Sequence, residues 1–167
     1  MNKNFIKYTV IFTLALFLYS CNIFSPDYEH FDNISLRGDN KTVKGLMQNF
    51  VYAYTFKDSF LYEGLLHDDF TFEYDNEGTP ETWNRDEDIR ITKRIFRNFK
   101  NIDLMFNTIF PEYTTFEDTT IYTSFNIGFY SGDDIVNFTG FARFIYQKVY
   151  VTEDSSIYRI KYWEDLR

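Results

Sequence analysis

Four long segments rich in aromatic and β-branched residues follow one another in the second half of the chain, with no helical pattern between them. They are IDLMFNTIF, TTIYTSFNIGFYS, VNFTGFARFIYQKVY and SSIYRIKYW, separated by PEYTTFED, GDD and TEDS. Such side chains suit a pleated, half-buried surface, and short polar connections between such runs read as hairpins. Ser131-Gly132-Asp133-Asp134 is the clearest turn. A succession of this kind commits the chain to a sheet-rich fold. Gly128 and Gly140, inside strands, suggest bulges or bends that would curl the sheet.

Helical patterns come before the strands. Val43, Leu46, Met47, Phe50, Val51 and Tyr54 recur at helical spacing and form one apolar face of a helix ending near Phe56. Asp58 then reads as the N-cap of a short second helix, SFLYEGLLH, with Phe60, Leu61 and Leu65 inward. DDFTFEYD follows, where Phe70, Phe72 and Tyr74 alternate with polar residues as in a half-buried strand. NEGTPETW reads as a loop. Arg85 to Asn98 gives a third helix with Ile89, Thr92, Ile95, Phe96 and Phe99 near one face. Asp86, Glu87 and Asp88 in its first turn, with basic residues toward its end, suit the helix dipole and read as a solvated face.

At 167 residues the chain amounts to one domain with appendages. Its aromatic content of 22% excludes disorder over most of the length. The net charge of −8 argues against nucleic acid as a partner, because phosphate backbones would repel it.

The sole cysteine, Cys21, ends an N-terminal segment with three zones. MNKNFIK carries two lysines and no acid, YTVIFTLALFLY is apolar, and Ser20 places a small side chain just before the thiol. This describes a secretory signal peptide over residues 1–20, whose apolar run of twelve residues is too short to span a bilayer. Leu18-Tyr19-Ser20-Cys21 resembles the lipobox of bacterial lipoproteins. That resemblance implies lipidation of Cys21, a membrane anchor of acyl chains such as palmitate, and, from Asn22 after the cysteine, the outer membrane. A plain cleaved signal with a free thiol is the alternative. Residues 21–40 have no clear period and read as a tether.

The order of elements over residues 41–167 resembles the nuclear transport factor 2-like fold, which includes ketosteroid isomerases and SnoaL-like cyclases. The resemblance is strongest over LMQNFVYAYTFKDSFLYEGLLHDDFTFEY, and YRIKYWEDL looks like the last strand. It implies an α+β, cystatin-like cone, three N-terminal helices packed in a curved antiparallel sheet. It also places the isomerases' oxyanion-stabilising tyrosine at Phe50 and their general base at Tyr74. Phe50 has no proton to donate, and a tyrosine is a poor base at neutral pH, so both roles are vacant.

Other chemistry finds little support. His67-Asp68-Asp69 is the one candidate metal cluster and falls short of a full ligand set, and no phosphate loop or nucleophile elbow occurs. The expectation is therefore no cofactor and no metal. In the cone, Phe50, Tyr54, Tyr74, Trp83 and Trp163 are the candidate lining of a pocket for a small apolar ligand, or simply its filled core. The leading functional reading is a non-enzymatic envelope lipoprotein that binds a ligand or assembles, as a homodimer or with an envelope partner. The alternative is a SnoaL-like enzyme using a pocket carboxylate such as Asp75 or Asp103.

Overall fold

The structure is a computed structural model that describes residues 37–115 and 117–166, with backbone only at 108–113. The expected signal peptide, Cys21 and most of the expected tether lie outside the described residues. Helix α1, Val43–Phe56, starts at Thr42, whose Oγ1 accepts from the Gly45 N–H at 3.0 Å. It buries Leu46, Met47, Phe50, Ala53 and Tyr54, the face its spacing predicts. It stops at Lys57, which takes left-handed backbone angles (φ 56°) and donates from Nζ to the carbonyls of Phe99 (3.1 Å) and Lys100 (2.9 Å). Asp58 caps helix α2, Ser59–Leu65, by accepting from the Leu61 N–H at 2.9 Å.

The inward face of α2 differs from expectation. Tyr62 and Leu65 are buried, Leu61 is half-buried, and Phe60 is 88% exposed. With roughly 100° per residue, Phe60 lies about 200° from Tyr62, so a two-turn helix cannot bury both.

Strand β1, Leu66–Asn76, alternates as expected, with Phe70 and Phe72 buried. The following segment is a hairpin rather than a loop. Glu77 (φ 54°) and Gly78 (φ 87°) form a two-residue turn into β2, Thr79–Asn84, which pairs antiparallel with β1. Both central residues have positive φ, as a type I′ turn requires. Pro80 fits because β2 is an edge strand. Asn84 then caps helix α3, Arg85–Asn98, by accepting from the Glu87 N–H at 3.1 Å.

Strands β3 (Asn101–Thr114), β4 (Asp118–Ser131), β5 (Asp134–Thr152) and β6 (Ser155–Leu166) complete one sheet in the order β2-β1-β6-β5-β4-β3. The α+β class is the expected one, with two differences. The β1–β2 hairpin separates α2 from α3, and β1 pairs with β6 in parallel, so the sheet is mixed. Register shifts occur between β3 and β4, between β5 and β6 and between β1 and β6, not at the glycines. Gly128 faces Asn137 and Gly140 faces Phe125 in unbroken register. A Cβ on Gly140 would sit 3.0 Å from Phe125 Cζ, so this glycine leaves room for a ring.

Leu104, Ile121, Phe144, Tyr146 and Ile160 on the sheet's inner face are buried with the apolar faces of the helices in one core. Phe144→Ala is expected to cost about 3–5 kcal/mol of unfolding free energy, as a large buried ring deleted from a packed core does. Phe60→Ser should change it by less than about 0.5 kcal/mol. Urea denaturation of both variants checks the assignment of inner and outer faces.

Candidate functional site

Adjacent strands set rings side by side. Phe72 on β1 lies opposite Trp83 on β2 and level with Trp163 on β6, which in turn lies opposite Phe144 on β5. Register thus dictates the contacts. Phe72 stacks on Trp83 (centroids 4.3 Å, 17° between planes) and meets Trp163 edge-on at 4.8 Å. Trp163 stacks on Phe144 at 5.4 Å. From α1, Phe50 meets Trp163 at 5.6 Å and stacks with Tyr54, one turn on, at 5.0 Å. Such pairs add about 0.5–1.5 kcal/mol each beyond their area burial.

These rings do not fill the cone. A cavity of about 440 Å³ remains between α1, α3 and the inner face of the sheet, within the range of small-molecule sites. Four of the five expected lining residues, Phe50, Tyr54, Trp83 and Trp163, border it. Tyr74 is not among its lining residues. Its ring leans on Trp83 at 5.2 Å and its hydroxyl donates to Glu81 of β2 at 2.5 Å, so the unforeseen hairpin draws it aside. The two carboxylates expected as enzymatic alternatives are not in the lining either. Asp75 is exposed and accepts from the Gly78 N–H in the hairpin turn, and Asp103 is exposed on β3. His67 accepts from the Asp69 N–H at 3.0 Å, and no cluster of three metal-ligating side chains occurs among the described residues.

Two carboxylates do border the cavity, Asp165 on β6 and the buried Asp88 in the first turn of α3. Asp88 is 3% exposed, which corrects its reading as part of a solvated face. Its Oδ2 accepts from the Tyr62 hydroxyl at 2.5 Å, and its Oδ1 accepts from Trp83 Nε1 at 2.9 Å. Burial raises its pKa above the usual aspartate value, and these two donors pull the other way. Burial likewise pushes the Tyr54 and Tyr62 phenols up, with the Asp88 charge adding to it, so both remain protonated donors. Trp163 Nε1 is also buried, without a hydrogen-bond partner. One sequence signal could have found Asp88. It stands four residues before Thr92 and seven before Ile95, on the stripe already assigned to the core.

An indole N–H can only donate, so Asp88 Oδ1 acts as an acceptor. Each carboxylate oxygen has two lone-pair sites, and one hydrogen bond on each leaves capacity for a ligand donor. The site can therefore hold an apolar ring compound and accept one hydrogen bond, or a proton, from it.

No protein-family model and no curated protein matches the chain. Solved structures do. A candidate aromatic ring hydroxylase from Novosphingobium aromaticivorans superposes with a TM-score of 0.63 at 14% identity, covering 77% of this chain and 87% of that one. A nuclear transport factor 2-like superfamily protein from Salmonella enterica gives 0.59 at 12% identity, covering 72% and 84%. A candidate dehydratase of the same family from Streptomyces avermitilis gives 0.58 at 16%, covering 74% and 91%. The fold is the nuclear transport factor 2-like fold.

The raised Asp88 pKa fixes the sign of a pH effect. The folded state binds this proton more tightly than the unfolded chain, so the Asp88 contribution to stability falls as pH rises through the folded pKa. Conversely, it grows as pH drops from neutral toward the unfolded aspartate value of about 3.9. Urea unfolding of wild type and Asp88→Asn across that window should show the difference, wild type minus variant, increasing toward acid. Taking the difference cancels the exposed Glu81 and Glu87, whose pKa values are lowered by their hydrogen bonds.

Proposed function

We propose that this domain binds a small apolar ring compound in the cavity under α1 and α3, and that Cys21 carries an acyl anchor holding it to a bacterial envelope membrane, the outer one by the residue that follows. The observation behind the binding reading is the roughly 440 Å³ of space left among packed rings, with one buried carboxylate at its edge. An apolar cavity with few polar groups is the usual form of a ligand site. The anchor rests on the sequence Leu18-Tyr19-Ser20-Cys21 and the charged-then-apolar segment before it.

A second reading is favoured by the raised Asp88 carboxyl: a SnoaL-like enzyme in which Asp88 takes a proton from a bound ring compound. The two readings part on fate. A binder returns its ligand unchanged, whereas the enzyme converts it and loses turnover, with binding kept, in Asp88→Asn.

A thermal-shift screen of the full-length chain with aromatic and polycyclic compounds tests the cavity. A ligand at 100 times its Kd stabilises the fold by about 2.7 kcal/mol, an easily read rise in Tm. Trp83→Ala should abolish that rise, and absence of any shift across the screen refutes ligand binding. For the anchor, Cys21→Ala should release the protein from membranes and abolish fatty-acid labelling. Retention of that variant on membranes counts against the lipobox.

A further inference from the structure

Among the described residues, no salt bridge reaches Asp88. Its two hydrogen-bond donors, Tyr62 and Trp83, are neutral. The cations of α3 closest to it in sequence pair elsewhere: Arg85 and Lys93 with Glu63, and Arg90 with Glu87. No Lys, Arg or His is among the residues lining the cavity, whereas a second carboxylate, Asp165, is. Asp165 Oδ1 lies 3.7 Å from where a Gly140 Cβ would stand. Buried charges in proteins are ordinarily paired, and here the protein supplies hydrogen bonds but no counter-charge. The same cavity is lined by electron-rich rings, Trp83 stacked on Phe72 and Trp163 stacked on Phe144. A cation is attracted to the face of such rings, most strongly to Trp. The chain's net charge of −8 adds a long-range bias in the same direction.

Building on the cavity reading above, we propose that the ligand is an apolar cation: an amine whose protonated nitrogen pairs with Asp88 while its hydrocarbon part lies among the rings. The site then selects by charge as well as by shape. A neutral ring compound meets the same walls and leaves the buried carboxylate uncompensated.

Tryptamine and tryptophol separate the two terms, because they share the indole and the two-carbon arm and differ in ammonium against hydroxyl. Both can donate to Asp88, so a preference between them reports charge. Isothermal titration calorimetry with the full-length chain at neutral pH should show tryptamine binding roughly tenfold or more tighter. In folded Asp88→Asn the preference should vanish. Tryptophol binding as tightly as tryptamine, or the preference persisting in the folded variant, overturns the proposal and leaves the cavity reading standing. Failure of both compounds to bind overturns both. The wild-type comparison stands without the variant, so an unfolded Asp88→Asn protein leaves the amine preference as the deciding result.

Discussion

Three elements meet at one carboxylate. Asp88 belongs to α3, Tyr62 to α2 and Trp83 to β2, and the two hydrogen bonds it accepts, one buried and one part-buried, hold those elements together. Trp83 could stack on Phe72 without its bond to Asp88, but its half-buried indole N–H would then lose its partner. The bond therefore places the ring that closes one wall of the cavity. A neutral hydrogen-bonding residue could also have tied these elements together. A carboxylate does so at the cost of burying a charge, and groups retained at such a cost are commonly found at functional sites.

The rest of the cavity follows from strand register. Phe72, Trp163 and Phe144 sit level on three neighbouring strands, so their contacts are consequences of pairing. Gly140 opposite Phe125 extends the logic to β4, where the missing side chain leaves room for a ring. Packing of this kind usually fills a core. Here it stops short between the sheet and the helices α1 and α3, and Lys57, at the end of α1, is fixed to the carbonyls of Phe99 and Lys100 just after α3.

Elements defined by local chemistry were legible in the sequence. The spacing of α1, the Asp58 cap and the alternation of β1 each depend on a few neighbouring residues, and each is found where its pattern lies. Phe50 and Tyr54, on the α1 stripe, and Trp163, on the last strand, border the cavity as those patterns imply, and Trp83 joins them from β2. What escaped was set by distant contacts. Strand β2 is exposed along nearly its whole length and contains Pro80, so it carries no alternation to read. Without β2, nothing in the sequence could show that Tyr74 is drawn to Glu81. Asp88 sits among acids that suit a helix N-terminus, which hid that its side chain faces Tyr62 and Trp83. Phe60 was misjudged because a helix of two turns offers too few positions to define a face.

The parallel pairing of β1 with β6 carries a kinetic consequence. Tyr162 and Glu73, hydrogen-bonded across that seam, are 89 residues apart in sequence. Closing so long a loop is entropically costly, and the cost falls before the contacts that repay it are made. The chamber is therefore among the last features to form, after the hairpins and helices have settled. A chain still folding would expose its rings in the interval, and a small molecule that fits between them would capture the finished shape as the seam zips shut.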